Sequence, residues 1–376
     1  MKATKIKNIA VIAAAALFLC VMPLWSVLLP DGESSRSERR QLEQLEGFSA
    51  KKAGREDYGL QEYFSYLEDY LLDQYPARDG FRRVSALWRT GVLRQRDNGG
   101  YYRAGEGLYA LDDGLSEAAV SDAAGRINAV YEQYFAGTGA RAYYAVIPDK
   151  SSFVAAENGY PCLDFTELAS ELGGQLDAGI EKIELAGTLD IGDYYLTDPH
   201  WSQAEILPCA DALLGAMGRG AASEREFARH ELFPFYGTYY GQAALGGRAD
   251  TLVYLSDAVT DGAVALNFET GETVGVYDED NFGNVDPYDV FLEGAAALLR
   301  IDNPAQGNGR QLVLFRDSFG SSMAPLLLGE YSQVLAADIR YVSPGYLGSL
   351  VEFDEDCDVL FLYSASVLNS AGAFMR

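Results

Sequence analysis

Three short, mostly apolar runs limit the fold of this chain more than any other feature. They occupy residues 142–147, 311–315 and 358–363. Apolar runs of this length without polar alternation are typical of strands buried on both faces of a sheet. Helical periodicity is clearest at residues 116–135, 165–183 and 202–217. Strands that alternate with helices in this way predict an α/β fold with a mostly parallel sheet covered by helices.

Two other regions depart from this alternation. Residues 221–290 are rich in Gly, Tyr, Thr and Asp and contain alternating stretches, which predict a β-rich insertion that covers or shapes a cleft. Residues 31–55 are polar and charge-mixed, as in a juxtamembrane stalk. Helices are predicted over 56–75 and 81–93, and their stripes of aromatic and aliphatic residues are interpreted as core.

The N-terminal segment predicts a membrane anchor. Residues 9–29 form an uncharged run of 21 residues, which as a helix would span about 30 Å, the thickness of a bilayer's hydrocarbon core. Lysines precede the run and acidic residues follow it, so the chain after it is expected outside the cell in a single-pass topology. A cleaved signal peptide is the alternative, although no small-residue cleavage site closes the run. The expected organisation is an anchor over 1–30, a stalk and helical region over 31–104, and an α/β domain over 105–376.

The charge balance and the histidine count exclude several functions. The chain carries 29 Lys and Arg against 55 Asp and Glu, a formal net charge of −26. A surface this acidic argues against binding nucleic acid, because phosphate contacts need clustered basic residues. With two histidines, four cysteines and no metal-ligand spacing, neither a metal site nor a cofactor is expected, and a metal-dependent deacetylase is excluded. One disulfide among Cys162, Cys209 and Cys357 is compatible with the sequence, which does not select a pair.

Ser318 is the first candidate for chemistry. It follows the apolar run 311–315 and precedes an apolar helical stretch, so it lies at a strand-to-helix turn. Functional groups of parallel sheets collect at such carboxyl ends, and a helix N-terminus stabilises negative charge. The alternative is structural, because Ser and Asp are also the preferred N-cap residues of helices.

Asp198 and His200 are the second candidates. A serine hydroxyl needs a base to take its proton, and a carboxylate orients that base and stabilises its charged form. Asp198 and His200 are two residues apart, which puts both side chains on one face of an extended backbone. Asp-Pro is also a turn signal, and Asp198 could instead cap the next helix. The remaining histidine, His230, has no comparable surroundings in the sequence.

These segments resemble a known family. Residues 198–201 read Asp-Pro-His-Trp, and residues 317–319 read Asp-Ser-Phe. Their order resembles that of DHHW proteins, which are related to alginate O-acetyltransferase-like SGNH-hydrolase proteins. The resemblance implies a three-layer α/β/α fold and a triad in which Ser318 is the nucleophile, His200 the base and Asp198 the residue that orients it.

The same resemblance suggests further contacts and two departures. Tyr195, Trp201 and Arg340 are candidate substrate-binding residues, although core packing for the aromatic rings and an ion pair for the arginine are alternatives. The second position of the signature is Pro199, outside the implied triad. Many relatives are expected to carry an Asn at the position of Ala295, where its amide would donate to an oxyanion; an alanine side chain cannot, and losing one such donor typically costs about 10²–10³ in rate.

Two functions follow from the sequence. The first is an extracytoplasmic serine-dependent O-acyl(acetyl)transferase or esterase that acts on a cell-envelope polysaccharide through an acyl-serine intermediate. As a transferase it would need a membrane acyl-transfer protein as donor, as the resemblance implies. The second is a non-catalytic, membrane-anchored protein on the same fold that binds glycans or assists envelope assembly, an alternative that fold alone does not exclude.

Overall fold

The chain forms two compact units. A computed structural model describes residues 2–35, 37–55, 58–112, 114–185, 187–294 and 296–374. The N-terminal unit comprises residues 1–98 together with 241–246, and the C-terminal unit comprises 99–240 and 247–376.

An apolar helix, α1 (Lys2–Leu28), opens the N-terminal unit. Its stretch Lys5–Met22 is long and apolar enough to cross a membrane, by length and composition. A signal sequence has the same properties, so this helix supports either an anchor or a signal. The rest of the unit consists of β1 (Ser34–Ser35), β2 (Arg40–Gln41), α2 (Phe48–Lys52), α3 (Leu60–Asp73), α4 (Arg78–Leu87) and a π-helical turn over Trp88–Val92.

The apolar stripe of α3 does not form a core, which corrects the interpretation made from periodicity. Leu60, Phe64 and Leu71 are exposed. The buried side of the helix carries Tyr66 and Asp73, which bind the stalk through polar contacts. The Tyr66 hydroxyl donates to the Gln44 carbonyl and the Asp73 carboxylate pairs with Arg40. The stalk offers hydrogen-bonding groups rather than an apolar surface, so the polar side of α3 faces it.

The C-terminal unit contains the α/β alternation that the sequence predicts. It begins at Gly99 rather than at residue 105, because the hairpin of residues 101–110 belongs to it. Its elements are β3 (Tyr101–Ala104), β4 (Gly107–Ala110), α5 (Glu117–Tyr134), β5 (Arg141–Ile147), α6 (Phe165–Gln175), β6 (Ile180–Lys182), α7 (Leu207–Ala216), β7 (Ala228–Phe235), the first half of α8 (Thr238–Ala243), β8 (Asp250–Ser256), α9 (Ala258–Gly262), β9 (Val264–Asn267), β10 (Thr273–Val274), β11 (Leu298–Asp302), β12 (Gln311–Arg316), α10 (Ser318–Leu327), β13 (Gln333–Ala337), α11 (Pro344–Leu350), β14 (Asp358–Ser364) and α12 (Ala365–Leu368).

One large sheet organises this unit. Across the described residues it has eight strands in the order β10-β9-β11-β13-β12-β14-β5-β6. The strands from β13 to β6 are parallel, and β11, β9 and β10 extend one edge antiparallel. The prediction of an α/β fold with a mostly parallel sheet is therefore confirmed. The strands of region 221–290 belong to two different sheets. β7 and β8 pair with each other, whereas β9 and β10 join the large sheet.

Both faces of the sheet are covered by helices. Along β12, Leu312 and Leu314 point to the face that packs against α7 and α10. Val313 and Phe315 point to the opposite face, which packs against α5, α6, α11 and α12. This alternation explains why the central strands are apolar throughout, since neither face meets water.

Two helices are shorter than periodicity suggested. The helix predicted over 165–183 ends at Gln175, just after the poor helix formers Gly173 and Gly174, and the chain then enters β6. The helix predicted over 202–217 begins at Leu207, because Pro208 fits the first turn of a helix but not its interior. The four cysteines all lie among the described residues and are free thiols.

Candidate active site

Three neighbouring parallel strands end at the same edge of the sheet. β12 leads to Asp317 and Ser318, β14 ends at Ser364, and β5 is followed closely by Asp149. Parallel strands place their carboxyl ends together, and this is where ligands of open α/β sheets bind.

Asp317, not Ser318, caps α10. The Asp317 carboxylate accepts the Phe319 N–H at 3.0 Å with one oxygen, and the Ser364 N–H at 2.8 Å and hydroxyl at 2.7 Å with the other. Ser318 is the first residue of the helix and is partly exposed, whereas Asp317 is fully buried. Because Asp317 takes the capping position, the Ser318 hydroxyl is free for another partner.

A short loop between Tyr194 and Trp201 carries Asp198 and His200. Tyr194 and Trp201 form an isolated antiparallel bridge at its base. The fully buried ammonium of Lys150 donates to the carbonyls of Tyr195, Leu196 and Asp198 at 2.6, 3.0 and 3.1 Å. Three acceptors match the three N–H bonds of an ammonium group.

The carboxylate of Asp250 holds the same loop from another side. It accepts the backbone N–H groups of Leu196 and Thr197 at 2.8 and 3.0 Å, and the Thr197 hydroxyl at 2.7 Å. The loop is thus fixed by hydrogen bonds to its backbone and does not depend on its own secondary structure.

His200 connects the other two predicted residues. Its Nδ1 lies 2.6 Å from Asp198 Oδ1, and its Nε2 lies 2.7 Å from Ser318 Oγ. With the proton on Nδ1, Asp198 accepts it and the lone pair of Nε2 faces the serine hydroxyl. The side chain of His200 is 9% exposed and that of Asp198 is fully buried, so water competes little with either bond.

Backbone groups compensate the buried charge of Asp198. Its Oδ1 also accepts the His200 N–H at 3.1 Å, and its Oδ2 accepts the Thr238 N–H at 2.8 Å. Gly237 allows this approach, since a Cβ there would lie 2.3 Å from the Asp198 Cβ and 2.4 Å from the Thr197 carbonyl oxygen. Any larger residue at position 237 would displace the loop.

Aromatic rings fix the orientation of His200. The Tyr288 ring stacks on the imidazole with centroids 3.9 Å apart and planes within 10°, and Phe319 packs at 4.7 Å. The hydroxyl of Ser322 accepts hydrogen bonds from the Tyr288 hydroxyl and the Trp201 indole, each at 2.8 Å. Burial raises the pKa of the Tyr288 hydroxyl well above its usual value, so this group stays a neutral donor.

Arg316 is the last residue of β12 and directly precedes Asp317. It is fully buried, and its guanidinium reaches the carbonyls of Gly294 and Ala296 at 3.4 Å. Its Nε has no hydrogen-bond partner among the residues that the structure describes, and burial lowers the pKa of the group. Ala295, where an asparagine was expected in relatives, lies outside the described residues.

Packing and hydrogen bonds within the chain engage the three candidate substrate-binding residues. Trp201 is fully buried, and its indole N–H donates a hydrogen bond to the Ser322 hydroxyl. Tyr195 is buried, with its ring against Phe235 and its hydroxyl accepting a backbone N–H. The guanidinium of Arg340 is engaged with Asp338, the shortest contact being 2.6 Å. The structure therefore places two of these residues in the interior and the third in an ion pair.

Asp149 adds a second carboxyl group at the same edge. Burial raises its pKa to about 7, with a further contribution from the charge of Asp112. Ser366 donates to the carboxyl group, while Oδ2 has no partner within the described part of the chain. Burial also lowers the pKa of the adjacent Lys150 to about 7, against the attraction of Asp198 and Asp250.

Sequence reasoning missed most of the residues that support the triad. Lys150, Gly237 and Tyr288 were not singled out, because nothing in the local sequence gives them a role. The pairing of His230 with Ser256 was also unforeseen, with Nε2 2.9 Å from the hydroxyl. Within the described residues no cluster of three or more His, Cys, Asp or Glu side chains is arranged to hold a metal ion.

Comparison with known families agrees with the sequence motifs. Residues 190–337 match the family model of DHHW proteins. This segment contains all three residues of the triad, and the resemblance to this family is confirmed over it. No curated protein matches the chain.

Solved structures share the fold at low sequence identity. A DHHW family protein from Eubacterium siraeum aligns with a TM-score of 0.58 at 17% identity, covering 73% of this chain and 95% of that one. PatB1 of Bacillus cereus, solved with a sulfonyl adduct, gives 0.56 at 17% identity, covering 73% and 97%. The O-acetyltransferase domain of Pseudomonas putida AlgJ is less similar, at 0.43 and 13% identity over 72% and 92%.

Proposed function

We propose that this chain is a serine-dependent O-acyltransferase or esterase that acts outside the membrane on a cell-envelope polysaccharide. The observation that carries the proposal is His200, which contacts the Asp198 carboxylate at 2.6 Å and the Ser318 hydroxyl at 2.7 Å. This is the arrangement that nucleophilic acyl transfer requires: a hydroxyl, a base within hydrogen-bonding distance, and a carboxylate that orients the base.

The first half-reaction forms an acyl-enzyme. His200 Nε2 takes the proton of the Ser318 hydroxyl as Oγ attacks the carbonyl carbon of the acyl donor. The buried carboxylate of Asp198 stabilises the imidazolium that forms. The imidazolium then returns this proton to the leaving oxygen of the donor, and the acyl group remains as an ester on Ser318.

The second half-reaction releases the acyl group. A hydroxyl of the acceptor loses its proton to His200 and attacks the ester carbonyl, after which Ser318 Oγ regains the proton. A sugar hydroxyl as acceptor gives transfer, and water gives hydrolysis. The N-terminal end of α10 favours the negative charge on the carbonyl oxygen in both steps, because a helix carries a partial positive charge at that end.

Location and substrate rest on the N-terminal helix and the family resemblance. An uncleaved α1 would hold the protein in the membrane by one span, with the C-terminal unit on the outer side, where the lysines before the run predict it. A polysaccharide at that side is the acceptor, and a membrane acyl-transfer protein delivers the acyl group. The strongly acidic chain favours an acceptor that is not itself highly anionic.

An acyl-enzyme assay tests this proposal. The full-length protein in detergent is mixed with an activated acetyl ester and quenched, and peptide mass spectrometry locates the added acetyl group. We expect acetylation at Ser318, its loss in His200→Ala, and faster release when a neutral glycan oligosaccharide is added. PatB1 has been solved with a sulfonyl adduct, so a sulfonyl fluoride is a suitable second probe.

The non-catalytic alternative makes the opposite prediction. Ala295 supplies no side-chain donor for an oxyanion, which favours a binding protein that has kept the fold. If glycan binding is measurable while Ser318 is never acylated, and Ser318→Ala binds the glycan as well as the unmodified protein, the alternative replaces the enzymatic proposal.

A further inference from the structure

The helix α4 and the π-helical turn after it have an unusual distribution of exposed side chains. Val84, Leu87, Trp88 and Val92 have between 54% and 65% of their surface exposed. Their spacing of three and four residues places them on one face of the helix. An exposed apolar face of this length marks an interaction site in a soluble protein.

The burial of α4 is reversed relative to that of a helix in a soluble protein. The fully buried Ala86 lies on the side opposite to Val84, and Arg82 points inward to contact Glu38 at 3.1 Å. The helix packs on its own unit through a small residue and an ion pair. Its large apolar side chains face outward.

The charge of this segment differs from that of the rest of the chain. Residues 78–96 contain six arginines and a single acidic residue, in a chain whose net charge is −26. Arg83, Arg89 and Arg94 are exposed. The exposed stripe of α3 has acidic neighbours instead, Glu62 among them, so α3 does not combine apolar and basic groups as α4 does.

We propose that α4 and the following turn lie on an anionic phospholipid surface, with the apolar face in the headgroup region and the arginines on the lipid phosphates. A helix with Trp and Leu on one face and arginines around it has the composition of an interfacial helix. Trp is favoured at the boundary between membrane and water. The apolar α1 belongs to the same unit and is long enough to cross a membrane. A bilayer is therefore the surface that we expect this unit to meet.

Lipid quenching of Trp88 tests the proposal in the full-length protein. The chain has three tryptophans: Trp25 in α1, Trp88, and Trp201 with no exposed surface. Trp25→Phe leaves Trp88 as the reporter, and Trp25→Phe with Trp88→Phe leaves only Trp201 as the control and as a readout of folding. Both variants are reconstituted in vesicles containing lipids brominated in the acyl chains, with either phosphatidylglycerol or only phosphatidylcholine.

We expect quenching of Trp88 in anionic vesicles, much less in zwitterionic vesicles, and none of Trp201. Replacing Arg83, Arg89 and Arg94 by Gln should shift the ratio of docked to undocked α4 by about 10²-fold, since each arginine near such a surface contributes about 1 kcal/mol. Ser318→Ala should leave the quenching unchanged. The proposal is overturned if Trp88 is not quenched, if the arginine variant is quenched equally, or if blue-shifted emission without quenching shows that protein covers this face.

Discussion

The two histidines of this chain have similar immediate neighbours and different wider surroundings. His200 stacks on Tyr288 and contacts the Ser318 hydroxyl at 2.7 Å; His230 stacks on Tyr254, with centroids 4.4 Å apart, and contacts the Ser256 hydroxyl at 2.9 Å. A serine and a tyrosine ring beside a histidine therefore do not by themselves identify a catalytic site.

Three differences separate the two sites. The His200 ring is bonded to a carboxylate, whereas among the described residues no hydrogen bond joins the His230 ring to one. Ser318 begins a helix at the carboxyl edge of a parallel sheet, whereas Ser256 ends a strand of an antiparallel hairpin and is buried. In the proposed function, the orienting carboxylate and the positive end of a helix are what would make the first pair reactive.

The largest expected difference between the two sites is in the response to losing the imidazole. His200→Ala should lower kcat/KM for an activated acetyl ester by about 10³-fold or more, because Ser318 then has no base. His230→Ala should change it by less than about twofold. Initial rates of ester hydrolysis measure both, and equal losses in the two variants would contradict the difference between the sites.

The next effect concerns the carboxylate. Asp198→Asn keeps the size of the side chain but removes the charge that holds Nδ1–H and stabilises the imidazolium, so kcat should fall about 10²–10⁴-fold. The Thr238 N–H can still donate to the amide oxygen, so the fold should persist. If the far-ultraviolet circular dichroism is unchanged and the activity is retained, Asp198 does not orient His200.

The stacked tyrosines should respond differently to truncation. Tyr288→Ala removes the ring that fixes the imidazole and one donor to Ser322, and we expect about a tenfold loss of kcat. Tyr288→Phe keeps the ring and should cost less than about threefold. Tyr254→Ala at the other histidine should leave kcat unchanged, and a loss comparable to that of Tyr288→Ala would show that both stacks matter only for stability.

The smallest expected effect is on stability and concerns Asp149, a carboxyl group at the same edge of the sheet as Ser318. Its pKa is about 7 in the folded chain and about 4 when unfolded, so the folded chain retains one more proton between these values. The free energy of unfolding should thus fall as the pH rises from about 4 to about 7 and level off above. Asp149→Asn should lose this dependence and be more stable than the original by about 1–3 kcal/mol at pH 8.

Thermal unfolding at pH 5 and pH 8 measures this difference. The unmodified protein and Asp149→Asn should have similar midpoints at pH 5 and diverge at pH 8. A gap that is the same at both values would show that the carboxyl group is ionised throughout, in contact with a partner that compensates its burial.

The local sequence predicted those parts of the fold that depend on local pattern. The apolar runs became β5, β12 and β14 within one residue at each end, since full burial leaves a clear signature. The stripe of α3 was misinterpreted because periodicity shows that one face is apolar but not what covers it. The edge strands β9 and β10 were assigned to an insertion because strand partners are set by contacts distant in sequence.

The candidate site was partly accessible from the sequence as well. Asp198, His200 and Ser318 stood out by residue type, position and family resemblance, and the structure brings them together. Lys150, Gly237 and Tyr288 support them from distant segments. Lys150 binds backbone carbonyls, Gly237 allows a close approach of the chain, and Tyr288 stacks on the imidazole. No local sequence pattern predicts contacts of these kinds.

Labelling of the two serines in parallel tests directly whether His200 activates Ser318. The full-length protein is treated with a sulfonyl fluoride over a time course, and peptide mass spectrometry follows Ser318 and Ser256 in the unmodified protein, His200→Ala and His230→Ala. We predict modification of Ser318 and not of Ser256, at a rate that His230→Ala leaves unchanged and His200→Ala reduces by about 10²-fold or more. Modification of Ser318 that is equally fast without His200, or labelling of Ser256 instead, would contradict it.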